Sequence, residues 1–183
     1  MKNTLVIYKT KYGAAKQYAE WIAEDLDCDL ANFDEIKKAD IDKYDVIVYG
    51  GGVHAGGIRG MDVFMKWMRK YLFLVDNPAK TFVCFACGMN VQNFDARAQL
   101  REVNFGKKWL MNIQCFYFDG AYDPTKIKGI DKKIMGWAKK MLLNKGELNL
   151  TKEDRELLEK FDHGFSNIDR SQIDRLVETV KAL

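Results

Sequence analysis

Serine and proline are scarce in this chain: its 183 residues contain two of each. The two serines, Ser166 and Ser171, lie in no Gly-x-Ser-x-Gly elbow, and no Ser–His–Asp or paired-carboxylate arrangement stands out. With so little proline and no low-complexity stretch, the composition excludes a disordered, collagen-like or mucin-like chain. Four cysteines (28, 84, 87 and 115) are too few for a disulfide framework at this length and read as reduced thiols. Histidine occurs twice, and no second Cys-x-x-Cys accompanies Cys84-Phe-Ala-Cys87, so no zinc ligand set is complete and no metal is expected. No apolar run approaches the ~18 residues of a spanning helix. The apolar start at Leu5 to Tyr8 is too short for a signal peptide, and no small-residue cleavage site follows it. The expectation is a cytoplasmic protein that does not span a membrane.

What is abundant is core material. Hydrophobic residues make up 48% of the chain and aromatics 13%, enough for one sizeable core over residues 1–183. The formal charge of +3 is too small to imply nucleic acid.

The chain alternates β-rich runs with helical periods. Thr4-Leu-Val-Ile-Tyr8, Asp45-Val-Ile-Val-Tyr-Gly50, Thr81-Phe-Val-Cys-Phe-Ala-Cys87 and residues 113–118 read as buried strands, with a weaker one near 29–33. Ala15, Tyr18, Ala19, Ile22, Ala23 and Leu26 share one helix face, as do Met61, Phe64, Met65, Met68 and Tyr71, and Ile173, Leu176, Val177 and Val180. This order predicts an α/β fold: a parallel sheet covered by helices on both faces, as one domain without linker or repeat. Ligands of such sheets lie outside the carboxyl ends of the strands, where the strand order reverses. The loops after strands one, three and four are therefore the places to look.

The first loop, Tyr8-Lys-Thr-Lys-Tyr-Gly-Ala-Ala-Lys16, runs straight from strand to helix. Amides at a helix start form an anion site, to which Thr10 and Tyr12 can add hydroxyl donors, and Gly13 admits a phosphate close to the backbone. It is neither a Walker loop nor the dinucleotide fingerprint. An ordinary polar turn has the same look. The third loop, Gly50-Gly-Gly-Val-His-Ala-Gly-Gly-Ile-Arg-Gly60, holds six glycines in eleven residues, as expected where backbone lies against a flat ligand. His54 within it can donate a proton or stay a solvated loop histidine. Cys84 and Cys87, three apart in a strand, point to opposite faces and read as buried thiols, with Cys87 at the rim of a pocket.

These loops resemble those of the flavodoxin family, whose first turn runs roughly [Thr/Ser]-x-Thr-Gly-x-Thr; Thr10, Tyr12, Gly13 and Ala15 stand at the corresponding positions. Ala15 has no hydroxyl, so the backbone carries that part of the turn. Lys108-Trp-Leu-Met-Asn112, Asp119-Gly-Ala-Tyr122 and the Lys-rich helix that follows are similar to the flavodoxin-like protoporphyrinogen IX dehydrogenases of bacteria. The resemblance implies a doubly wound five-stranded sheet in the order 2-1-3-4-5 and FMN as cofactor. It implies FMN contacts from Thr10, Lys11, Tyr12, Gly13, Ala14 and Ala15 at the phosphate. Gly51, Gly52, Val53, His54, Ala55 and Gly56, with Cys87, Gly88, Met89 and Asn90, would flank the ring. His54 and Tyr122 are the candidate catalytic side chains. The implied reaction passes electrons from a hydrophobic, porphyrinogen-like substrate to a quinone. Two other classes stay open: a flavodoxin-type electron carrier, against which a pI near 8.5 speaks, and a binding module of the same fold that has lost FMN.

The positive charge is local. Between Ala121 and Gly146 stand seven lysines and two aspartates, leaving the rest of the chain slightly acidic. On a helix within residues 124–144, Ile127, Ile130, Ile134, Trp137, Ala138, Met141 and Leu142 form one broad face, with Lys128, Lys132, Lys133, Lys139 and Lys140 opposite. Such a helix either packs on the domain or lies on the anionic inner face of a membrane as a peripheral contact. Thr151-x-x-Asp154 marks a further, solvated helix.

Overall fold

The computed structural model describes residues 2–72, 80–106 and 113–183. Its strands and helices follow in the order β1 (Thr4–Lys9), α1 (Ala14–Leu26), β2 (Asp29–Asn32), β3 (Val46–His54), β4 (Gly57–Ile58), α2 (Met61–Leu72), β5 (Thr81–Gly88), α3 (Phe94–Phe105), β6 (Gln114–Asp119), β7 (Ala121–Tyr122), α4 (Gly129–Leu143), α5 (Lys152–His163), β8 (Phe165–Ser166) and α6 (Asp174–Lys181). The main sheet runs β2-β1-β3-β5-β6, all parallel, which is the 2-1-3-4-5 order of a doubly wound sheet. The short strand β4 is added antiparallel to β3, and β7 pairs with β8 in a separate two-stranded sheet.

Strands buried on both faces need apolar residues at successive positions, and the middle stretches of β1, β3 and β5 have them. Leu5, Ile7, Ile47, Tyr49, Cys84 and Ala86 point into one core layer, shared with Phe64, Met68 and Leu100 of α2 and α3. Val6, Val48, Val83, Phe85 and Cys87 point into the other, with Tyr18 and Ile22 of α1 and Leu176 and Val180 of α6. Cys84 and Cys87 thus do lie on opposite faces, as free thiols. Burial pushes the Cys87 thiol up to about 12 and the Cys84 thiol well above its ordinary value, so neither is a thiolate near neutral pH.

Residues 50–60 depart from the expected loop. β3 runs on through Gly50, Gly51 and Gly52 to His54, then turns through Ala55 and Gly56 into β4. Both turn residues have positive φ, 48° and 80°, the signature of a two-residue hairpin turn. The glycines are there for close approach rather than freedom. A Cβ at Gly50 would fall inside the Phe85 ring, and one at Gly51 would meet Ile58 Cγ2 at 2.8 Å. The hairpin is pinned from outside, where Asn104 Oδ1 accepts from the Ile58 N–H at 3.0 Å.

Helix α4 also departs from expectation, because its apolar arc is divided. Ile127 just before it is buried, and Ile134, Ala138 and Leu142 are half-buried, on the side where α4 packs against α5. Ile130, Trp137 and Met141 face solvent at 68%, 65% and 52% exposure. The one residue of α4 that is buried is charged: Asp131. Helix α5 opens on the expected cap, with the Thr151 hydroxyl accepting from Asp154 N–H and the Asp154 carboxylate accepting from Thr151 N–H, each at 3.1 Å.

Candidate functional site

The carboxyl ends of β1, β3, β5 and β6 open into a cavity of about 230 Å³. Its floor is the turn from β1 to α1. Gly13 adopts φ 98°, a left-handed conformation that suits glycine, and begins α1 without a side chain that could cap the first-turn amides. No acidic residue stands in that turn. The Thr10 hydroxyl oxygen accepts from the Gly13 N–H at 3.0 Å, which shapes the turn and leaves the hydroxyl proton to donate. Thr10, Ala14 and Ala15 line the cavity, so uncapped amides, the helix dipole and one hydroxyl converge on its floor.

One wall is the β3–β4 hairpin, through Gly52, Val53, His54 and Ala55, with Arg59 beyond it. A Cβ at Gly52 would meet nothing within 4 Å, so that glycine faces open space. The facing wall is Cys87, Gly88 and Met89 at the end of β5, together with Gly120, Ala121 and Tyr122. Tyr122 is carried on β7 with its ring edge-on to Phe161 of α5, and burial raises its phenol pKa. The Gly120 N–H donates to the Gly88 carbonyl at 2.9 Å and holds these two stretches together. The roof is Ile127, Asp131, Ile134 and Met135, from α4 and the residue chain leading into it.

Of the residues predicted from sequence, Thr10, Lys11, Tyr12, Ala14, Ala15, Gly52, Val53, His54, Ala55, Cys87, Gly88, Met89 and Tyr122 line this cavity. Gly13, Gly51, Gly56 and Asn90 do not: Gly51 packs under Ile58 and Arg59, while Gly56 and Asn90 border a smaller hollow of about 100 Å³ beside Val91. The 108–112 stretch lies outside the described residues. Among them, no cluster of ligands that could hold a metal ion is present.

Two first-loop side chains have a different role from the one their type suggested. Tyr12 does not aim its hydroxyl at an anion on the floor; it donates to Asp131 Oδ2 at 2.6 Å. Lys11 Nζ donates to the same oxygen at 2.7 Å, and His54 Nδ1 lies 3.9 Å from Asp131 Oδ1. The Lys11 ammonium and then the Tyr12 hydroxyl hold the Asp131 carboxyl below the usual carboxylate range, while Asp131 raises the pKa of Lys11. Desolvation first, and Asp131 second, raise that of Tyr12. Asp131, Arg59 and Lys126 were not singled out from sequence. An aspartate in the first turn of a helix reads as a partner of the helix dipole, and nothing local shows that it reaches back 119 residues to Tyr12.

Residues 5–149 match the family model of the flavodoxin domain. A search of curated proteins finds no match. Among solved structures, a WrbA-like flavodoxin protein from Agrobacterium tumefaciens is 24% identical over 57% of this chain and 69% of its own, with a TM-score of 0.45. Oxidised flavodoxin 2 from Bacillus cereus is 17% identical over 72% of this chain and 90% of its own, with a TM-score of 0.47. A flavoprotein in complex with FMN from Lactobacillus acidophilus is 16% identical over 65% of this chain and 93% of its own, with a TM-score of 0.44.

Proposed function

The chain belongs to the flavodoxin family, and from that premise we propose that it is an electron-transfer flavoprotein that binds FMN in the cavity above β1, β3 and β5. The observation that carries this reading is the uncapped, acid-free first turn of α1 on the cavity floor. A phosphate seated there would be held by the amides of Ala14, Ala15 and Lys16 and by the Thr10 hydroxyl. A flat ring system fits between the hairpin, where Gly52 leaves room, and the Cys87–Gly88–Met89 backbone. At about 230 Å³ the cavity is smaller than the roughly 300–1,000 Å³ of most small-molecule sites. FMN supplies the exchange of electrons when bound. The protein's part is to hold the phosphate, orient the ring and exclude water with Val53, Ile127, Ile134 and Met135. We assign to His54, whose Nδ1 lies 3.9 Å from Asp131 Oδ1, the role of holding or passing a proton at its ring nitrogens.

The narrower reading is an oxidoreductase that takes electrons from a hydrophobic, porphyrinogen-like substrate and passes them to a quinone-type acceptor, with His54 and Tyr122 nearest the substrate. It is supported by the likeness of Asp119-Gly-Ala-Tyr122 and the Lys-rich α4 to the protoporphyrinogen IX dehydrogenases, and by the apolar lining of the roof. The basic surplus also favours it over an acidic carrier.

A visible spectrum of the purified protein, followed by FMN titration of the stripped protein, tests the reading. Flavin bands and saturable binding are expected. A colourless protein that takes up no FMN leaves only the binding-module reading. A flavin-loaded protein that is reduced and reoxidised, yet turns over no porphyrinogen with a quinone, is a carrier.

A further inference from the structure

Helix α4 presents two distinct strips. The inner one carries Asp131 and Met135, which form part of the cavity roof, and the half-buried Ala138 and Leu142, on a helix that packs against α5. The outer one is apolar: Ile130, Trp137 and Met141 recur at intervals of seven and four residues and are each more than half exposed, while Ile134 between them turns its half-buried side chain to the cavity. Helical geometry places Lys133 and Lys140 along one edge of that strip, three residues after Ile130 and Trp137. Among the described residues, Lys126, Lys139 and Lys145 are paired with Asp123, Asp162 and Asp154, whereas Lys128, Lys132, Lys133 and Lys140 have no carboxylate partner. Lys139 therefore leaves the set of free cations expected from sequence. Its pairing and that of Lys145 offset two of the carboxylates that α5 brings to this side of the molecule.

An exposed strip of large apolar residues costs free energy in water and marks a contact surface. Such a strip would also suit a second copy of the helix, but the lysines oppose an antiparallel pairing. In an antiparallel pair the flanking positions face one another, so Lys133 of each copy would meet Lys140 of the other, like charge on like charge. An anionic bilayer reverses the sign of that term. Lysine stems lie along apolar surface while their ammonium groups stay at headgroup level, and tryptophan favours the same interface.

We propose that the outer strip of α4 docks the protein on an anionic lipid surface, with Trp137 at headgroup depth and Lys133 and Lys140 against the phosphates. This goes beyond the cofactor reading and does not depend on it. The docked helix is also the cavity roof, so the site would lie one helix away from the bilayer.

The test is flotation of the full chain, with and without added FMN, on phosphatidylcholine vesicles with and without phosphatidylglycerol. Binding is expected to the anionic vesicles alone and to fall as salt rises. Lys133→Gln with Lys140→Gln should weaken partitioning about thirtyfold, from ~1 kcal/mol for each lysine near the surface. Trp137→Ser should abolish it. Circular dichroism and the melting midpoint of both variants should match the parent, since these side chains are exposed. Brominated lipid should quench emission in the parent but not in Trp137→Phe. Equal binding to neutral vesicles, binding unaffected by these substitutions, or no binding at all overturns the proposal. So does a concentration-dependent dimer that Trp137→Ser dissolves, which would make the strip an interface between copies.

Discussion

Asp131 joins three parts of the site that are remote in sequence: the first turn through Lys11 and Tyr12, the hairpin through His54, and the roof helix on which it sits. Its carboxyl is held below the ordinary value of 3.8, so the stabilisation it provides is fully present above that value and is lost as pH falls through the lowered one. Acidification should therefore loosen α4 before the sheet unfolds. Hydrogen exchange of α4 amides, followed from neutral pH downward, reads this directly. In Asp131→Asn the acid step should vanish, and exchange at neutral pH should rise on the order of tenfold, the equivalent of about one hydrogen bond. Unchanged exchange would show that α5 alone holds the roof. The same residue marks where reading the sequence stops. Thr10, Gly13 and the uncapped turn are local features, legible from a strand followed by a helix. A buried carboxylate whose hydrogen-bond partners, Lys11 and Tyr12, lie more than a hundred residues away leaves no local mark.

Among the elements, the β3–β4 hairpin shows why a glycine run is ambiguous. Side-chain period is what separates strand from loop, and glycine has no side chain to carry it. Hence β1, β5 and β3 as far as Gly50 were legible as strands, while the continuation of β3 through Gly51 and Gly52 to His54 was not. What makes such glycines strand residues is a neighbour in another strand, as the Phe85 ring is under Gly50. The two ends of the run should therefore respond differently. Gly50→Ala forces a methyl into that ring and should cost about 3 kcal/mol or more in urea denaturation, at the upper end of overpacking. Gly52→Ala adds a methyl to open space in the cavity wall. Stability should stay within about 1 kcal/mol, while FMN affinity falls. Equal destabilisation in both variants would mean that the run tolerates no side chain anywhere, and that the open wall is not a ligand surface. Helix α4 presents the same ambiguity in another form. Periodicity shows how wide an apolar arc is, but not which part of it meets protein.

For the molecule as a whole, the flavodoxin match ends at residue 149, yet the core does not. Ile173, in the turn just before α6, and Leu176, Val177 and Val180 of α6 cover the α1 side of the sheet, and the helix was legible because this spacing has a single buried face. Two polar ties fix the segment leading to α6. Tyr18 donates to the Asp119 carbonyl at 2.7 Å and accepts from Asp169 N–H, and the Asp119 N–H donates to Gln172 Oε1 at 2.7 Å. These ties reach the end of β6, next to the cavity wall at Gly120, so the last helix also braces the site. Burying four aliphatic side chains at ~1.5–3 kcal/mol each amounts to roughly 6–12 kcal/mol, comparable with the whole stability of a domain at ~5–15 kcal/mol. A chain cut after residue 149 should therefore not fold cooperatively, although it contains the whole matched family segment. Leu176→Ala tests this without truncation. Leu176 is fully buried, so its loss should cost about 2–5 kcal/mol in urea denaturation. If the cost were below about 1 kcal/mol, α6 would be an appendage, and the α1 side of the sheet would have to be covered by some other part of the chain.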